Sequence, residues 1–337
     1  MLTFIARRLV QTAIIMVGLS FFFFVLLHIA PGGPCDALSA AGATQGQIER
    51  YHGCIVRLGL NDPIPTQYAT WVSHVVRGDF GISIGDGQSV GQEILTRMPA
   101  TLLLAGISYL FQELVAIPLG IFAALRRYSF FDSLFTVCSY IGLSMPTFWL
   151  SGIMILIFAI ILGWFPAGGI VGDTANIPTF NGDGYWSYLL HHPWHAGTDF
   201  FSHLILPALV LAIVGIAGDS RFMRASMIEV VNQDYIRTAR AKGLTPRVVI
   251  LKHALRNALM PIVTNIALAL PGLFGGAIIT ETIFGWPGMG QLFSRALGGN
   301  DYPVLQALLM IGAVGVLLGN LLGDLAYAVI DPRIRYD

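Results

Sequence analysis

Six stretches of this 337-residue chain are each long enough and apolar enough to cross the hydrocarbon core of a bilayer, which takes about 20 residues of helix. They run over about 9–30, 101–125, 134–162, 204–223, 259–284 and 304–330. Backbone N–H and C=O groups cannot stay unpaired in lipid, so a spanning segment is either a helix or a barrel strand, and apolar runs this long and continuous predict helices. Only 11% of the residues are charged against 55% hydrophobic, which excludes an ordinary soluble domain. The expected fold class is an all-α integral membrane protein of six transmembrane helices, a single membrane domain over 1–337 without internal repeat or linker.

The basic residues predict the orientation. With the N-terminus in the cytosol, fourteen of the 19 Lys and Arg residues fall on the inner side, and Arg50, Arg57, Arg77, Arg97 and Arg295 fall on the outer side. Both termini are then cytosolic, with extracytoplasmic loops at 31–99 and 163–203 and a cytosolic loop at 224–258. Arg7 and Arg8 before an apolar run also suit a signal peptide, but the run is too long and no small-residue cleavage site precedes Pro31. Trp164, Trp186 and Trp194 in the second outer loop suit the membrane interface. Acidic and basic residues balance at 19 each, so the basic footprint of a nucleic-acid binder is absent.

Within the inner loop lies a charged island, DYIRTARAKGLTPRVVILKHALRN. Asp234 is a good helix N-cap, Ile236, Ala239 and Gly243 fall on one face, and Gly243 followed by Pro246 is a stop signal. Thr245 then caps a second helix whose first position is Pro246. Ala239, Ala241 and Gly243 leave room for another protein to approach closely, with Arg237, Arg240 and Lys242 supplying polar contacts around them. A loop that merely enforces topology would also be basic, but it would not need caps at both ends or a small-residue face. A DNA-reading helix-turn-helix is disfavoured, because tethering to adjacent spans leaves no freedom to enter a groove.

DYIRTARAKGL followed by HALRNALMP resembles the cytoplasmic loop of dipeptide/oligopeptide-type permease subunits of binding-protein-dependent ABC importers. ARRLVQ, LLHIAPGGP, LGLNDPIPTQYATWV, RGDFGIS, ETIFGWPGMG and the terminal DPRIRY extend the resemblance over nearly the whole chain. It implies a type I ABC importer permease fold in the inner membrane, a long first outer loop and a cytosolic coupling helix. The implied partners are a second homologous permease subunit, two ABC ATPase subunits, an extracytoplasmic substrate-binding protein and a peptide substrate. Asp234, Tyr235, Arg237, Thr238, Ala239, Arg240, Lys242 and Gly243 would dock in a groove of one ATPase. Counting back from Gly243, Arg237 stands where the general importer loop has Glu, so no salt bridge of that glutamate carries over. No G-x-x-x-x-G-K-[ST] phosphate loop occurs, so this chain is expected to bind no cofactor and to catalyse nothing, with ATP and Mg used by the partner ATPases. GWPGMG at 285–290 reads as a structural turn.

Charge inside a membrane is costly and marks candidate function. Glu113, Asp219, Arg221, Glu281 and Asp324 are the candidate translocation-path residues; pairing across helices or snorkelling explains Asp219, Arg221 and Asp324 better and Glu113 equally well, and Glu281 at the outer mouth is either a gate or an interfacial residue. Pro118, Met145-Pro146 and Pro271-Gly272 are candidate breaks. Cys35 and Cys54 share an oxidising outer loop, where a disulfide is feasible, while Cys138 is expected to pack within its span. His191, His192, His195 and His203 have a spacing that can hold nickel or zinc, but no dense set of carboxylates or cysteine joins them, and no metal site is expected. The competing functions are a gradient-driven secondary transporter and an ABC permease for nickel or another non-peptide solute. No H-E-x-x-H or G-x-S-x-G supports a membrane enzyme.

Overall fold

The computed structural model describes residues 2–29, 33, 35, 45–172, 188, 190–260, 262, 265 and 277–330, and for 2–6, 9, 46, 47, 50 and 322–330 the backbone alone. Most of the fifth apolar run, the Pro271-Gly272 break, Trp186, the side chain of Asp324 and the DPRIRY tail lie outside the described residues.

The chain opens with α1 (Leu2–Ile29). Two short helices follow, α2 (Gln45–Leu58) and α3 (Ile64–Val76), then an isolated antiparallel bridge between Ile82 and Ser89. A disulfide joins Cys35 to Cys54 of α2. Next come α4 (Val90–Leu125), α5 (Phe130–Ser144) and α6 (Thr147–Met154), which continues as a π-helical segment, Ile155–Ile161. α7 (Pro193–Val231) leads to α8 (Asp234–Ala241), and a helical turn at Pro246–Val248 runs on through π-helical Val249–Ala254 into Leu255–Ala258. α9 (Ile278–Ile283), α10 (Met289–Gly298) and α11 (Tyr302–Ile330) complete the described fold.

Among the described residues, four helices are long and apolar enough to cross a membrane: Val10–Ile29 within α1, α4, α7, and Tyr302–Leu321 within α11. The expected single run 134–162 is instead a pair of arms bent by 103° at Met145-Pro146, and counts as a fifth span only if the two arms are taken together. Proline disfavours helical geometry at the residue before it, and Met145 is extended with ψ 120°. By contrast α4 runs through Pro99 and Pro118 without ending. It also begins eleven residues before the expected start at 101, because Glu93 and Arg97 in its first turns pair within the protein and not with lipid.

α4 is the spine of the molecule. Its 36 residues reach about 54 Å at 1.5 Å per residue, and three buried clusters lie along it in order. Val90 and Ile94 join Leu27, Leu292, Tyr302 and Leu305 at one end. Ala100 and Leu104 pack with Leu204 and Trp286 next along. Ile117 and Ile121 reach the cluster of Met223, Met227, Ile236 and Ala239 at the other end. α4 packs most extensively on α7. Small residues let them approach: a Cβ on Gly120 would fall 2.5 Å from the Ser220 carbonyl oxygen and 2.7 Å from Met223 Cβ. Large apolar side chains such as Ile14, Val17, Phe22, Leu110, Leu114, Val137 and Ile160 point outward, as a lipid-facing surface requires.

Candidate functional site: the coupling loop and the charges of the bundle

α8 is built to be held on one side and offered on the other. Ile236 and Ala239 are three apart, hence on one face, and both are buried against Met223 and Met227 of α7 and Val249. The opposite face exposes Asp234, Arg237, Thr238, Arg240 and Lys242. Gly243 follows with φ +74°, a left-handed conformation that glycine adopts without steric cost, and the chain turns there toward Pro246. Tyr235 is tied by its hydroxyl, which accepts from Asn257 Nδ2 at 2.8 Å, so the helix is braced to the returning segment as well. The Arg237–Asp234 pair at 3.4 Å is exposed on both partners and contributes little to stability.

Three details of the sequence reading change here. The N-cap is Gln233, with Asp234 in the first turn, where its carboxylate favours the positive end of the helix dipole. Thr245 holds the cap position before Pro246 but makes no side-chain cap bond. Ala239 faces inward, so it anchors α8 and does not supply a contact surface; Ala241 and Gly243 remain exposed.

The charges of the bundle separate into tied and open groups. Glu281 is fully buried: its Oε1 accepts from Thr101 Oγ1 at 2.9 Å, and its Oε2 accepts from the amides of Gly290 at 2.7 Å and Gln291 at 3.1 Å. It clamps the start of α10 to α4, and Cβ atoms on Gly288 or Gly290 would collide with its carboxylate. Trp286 of the same GWPGMG turn is buried and donates its indole N–H to the Ala100 carbonyl at 2.9 Å. The stretch is a structural turn, as expected, and the Glu281 carboxylate is part of its hydrogen-bonding.

Glu113 on α4 and Asp219 on α7 come together. Gln112 Nε2 donates to Asp219 Oδ2 at 2.5 Å and, at 3.5 Å, to Glu113 Oε1, while Glu113 Oε2 is buried with no hydrogen-bond partner. The adjoining Gly215 lies directly against the Gln112 side chain. Arg221 is separate, its guanidinium 4.8 Å from the centre of the Tyr140 ring.

Two tied pairs were not legible in the sequence. Arg224 grips the buried Asp132 with two bonds, Nε to Oδ1 at 2.7 Å and Nη2 to Oδ2 at 2.8 Å, fixing α7 to the start of α5. Arg295 Nη2 donates to Glu93 Oε1 at 2.5 Å, tying α10 to α4. An acidic residue in an otherwise basic turn was the one available signal for Asp132; the Glu93 pair spans 202 positions and left none.

Cys138 is exposed on α5, not packed as expected. The four histidines stay apart in role. His203 is buried with its Nδ1 2.9 Å from the Asp199 carbonyl, His192 stacks on Tyr188, and no group of three metal-binding side chains occurs among the described residues.

Comparison with known proteins agrees with this geometry. Residues 116–336 match the family described as Binding-protein-dependent transport system inner membrane component, and residues 1–105 match its N-terminal counterpart, Binding-prot-dependent transport system membrane comp, N-term. The chain is 41% identical to the Oligopeptide transport system permease protein AppB of Bacillus subtilis (strain 168), covering 100% of both. It is 39% identical to the Dipeptide transport system permease protein DppB of Escherichia coli (strain K12), over 100% of this chain and 99% of the relative. It is 38% identical to the Di/tripeptide transport system permease protein DppB of Pseudomonas aeruginosa (strain UCBPP-PA14), again over 100% and 99%. A chain of the MetNI methionine ABC transporter, solved in inward-facing conformations, shares the fold with a TM-score of 0.52 at 17% identity, over 71% of this chain and 96% of that one. The chain therefore belongs to the family of inner membrane components of binding-protein-dependent transport systems.

Proposed function

We propose that this chain forms half of the translocation path of an ATP-driven importer of dipeptides or short oligopeptides, with both termini in the cytosol and 259–284 as one of six spans. Two ABC ATPase subunits hydrolyse ATP with Mg, a second homologous permease completes the path, and an extracytoplasmic binding protein delivers the peptide. The observation that carries this reading is α8: a short helix with Ile236 and Ala239 buried in the bundle and an exposed basic face. A rigidly anchored helix transmits a push from a docked partner into α7, whereas a freely tethered loop would absorb it. Support for peptides as substrate comes from the full-length similarity to relatives named for oligopeptide, dipeptide and di/tripeptide transport. Those names leave the nickel reading without support, and membership of a binding-protein-dependent family leaves the gradient-driven reading without it.

Within the path, Glu113 is the carboxylate best suited to meet a peptide ammonium, since one of its oxygens is buried without a partner. The test is purification from the native membrane in mild detergent, with subunits identified and counted by mass spectrometry. Recovery with a related permease and P-loop ATPases is expected; reproducible recovery alone, from a sample still active in transport, sinks the reading. Gly243→Arg is expected to insert normally and to uncouple transport, because the added side chain strains a left-handed position and blocks close approach.

A further inference from the structure

At the end of the bundle away from α8, a cavity of about 300 Å³ opens between the last turn of α1, α3, the Gly81-Ile82 segment and the first turn of α11. Its floor is aromatic. Phe24 stacks on His28 at 4.3 Å, Trp71 lies 5.8 Å from Phe24, and Tyr302 meets His28 edge-on at 6.3 Å. Gln67 holds this floor together, donating to the Asp62 carbonyl at 2.7 Å while its Oε1 lies 3.0 Å from His28 Nε2. Two exposed and oppositely charged side chains also line the cavity, Arg57 from α2 and Asp79 from the turn after α3. Asp79 is fixed in place, accepting from the Gly81 amide at 2.9 Å and lying 3.0 Å from His74 Nδ1. The Gly81 amide first and His74 next hold its carboxyl below the usual carboxylate range, so it stays anionic at neutral pH.

An apolar pocket with a few convergent polar groups is the ordinary form of a small-molecule site, and this one is at the small end of the range. That size suits a ligand of amino-acid to dipeptide dimensions and excludes a whole phospholipid. Opposite charges at the solvent side of an aromatic floor match a zwitterion: a carboxylate for the planar guanidinium, and an ammonium for a carboxylate beside ring faces. We propose that this cavity binds a zwitterionic amino acid or short peptide with an aromatic side chain, its ring on Phe24 and Trp71, its carboxylate on Arg57 and its ammonium on Asp79. The site is distinct from the Glu113 region, which lies far along α4. Its chemistry stands alone, but its use as a second, peripheral peptide site rests on the peptide-importer reading.

The probe is the dipeptide Phe-Ala, titrated by calorimetry against the complete transporter in lipid nanodiscs without the extracytoplasmic binding protein. N-acetyl-Phe-Ala, Phe-Ala amide and Gly-Gly serve as comparators. Saturable Phe-Ala binding is expected, weakened about tenfold by Arg57→Gln, by Asp79→Asn, or by blocking either terminus of the peptide, which is the scale of a hydrogen bond to a charged group. Both substitutions are at exposed positions and should leave the fold intact. Phe-Ala binding that is absent, or that is unchanged in both rim variants, overturns the proposal. A lipid chain retained in the cavity and not displaced by Phe-Ala overturns it too. Uptake of peptide into vesicles supplied with the binding protein separates the two readings: uptake without pocket binding removes this inference alone, whereas a complex that moves no peptide removes the importer reading.

Discussion

Glu281 and Glu113 are both carboxylates in apolar stretches of the sequence, Glu113 near the middle of a span and Glu281 at an end. Glu281 has three donors on its two oxygens and no exposed surface. Glu113 Oε1 accepts a long bond from Gln112, and its Oε2 is buried with no hydrogen-bond partner. The difference teaches that the burial of a charge does not reveal its purpose. A carboxylate with donors on both oxygens is part of the scaffold, while one with a buried oxygen left unsatisfied carries a standing cost.

The largest test of that contrast is Glu281→Ala. It leaves the Gly290 and Gln291 amides and the Thr101 hydroxyl unpaired in a buried site, with an expected loss of about 3 kcal/mol or more. A lowered unfolding midpoint and poor recovery of monodisperse protein from detergent would register it; an unchanged midpoint would mean that Glu281 is not a scaffold residue. Next comes Arg224→Ala, which strands the buried Asp132 and should cost about 2 kcal/mol, tempered because Arg224 is itself 27% exposed. The double variant Arg224→Leu/Asp132→Leu should recover much of that loss, and failure to recover would show that the pair does more than satisfy itself.

Glu113→Gln is expected to move the midpoint by no more than about 0.5 kcal/mol while slowing peptide uptake several-fold. A large loss of stability with normal uptake would reverse the contrast with Glu281. Arg237→Ala, at a pair exposed on both sides, should also leave the midpoint within about 0.5 kcal/mol and reduce only the ATPase stimulation that accompanies transport. The smallest effect is a pH dependence from Asp79, whose folded-state pKa lies below its ordinary value of 3.8. A depressed value means that its contribution is complete above 3.8 and fades as the pH falls below it, so Asp79→Asn should flatten only the acid limb of a stability profile. A change confined to neutral pH would contradict the assignment.

The membrane helices were legible because lipid enforces a length and a polarity that no tertiary contact has to supply. Their ends were not. Hydropathy marks where apolar side chains start, so the first turns of α4, polar in Glu93 and Arg97, were assigned to the loop although intramolecular pairs keep them helical. The break at Met145-Pro146 was visible as a possible kink, but its 103° turn was not, since the angle is set by what the two arms pack against. Around α8, the face of Ile236 and the turn at Gly243 were readable from spacing and from glycine's freedom at positive φ. The inward position of Ala239 was not legible, because a small residue suits a partner's surface and the chain's own core equally well.

By itself the sequence determined an all-α membrane protein, its family, and a short basic helix on one inter-span loop. These follow from local rules: apolar length, helix periodicity, stop residues and a set of motifs spread along the chain. The tertiary structure alone decided which charges are spent. Thr101 and Glu281 are 180 positions apart and Glu93 and Arg295 are 202 apart, and only folding brings them within hydrogen-bonding distance. The aromatic cavity likewise draws on α1, α3 and α11, so no stretch of sequence contains it. Long-range pairing depends on helix register and crossing geometry, and neither is written in any single segment.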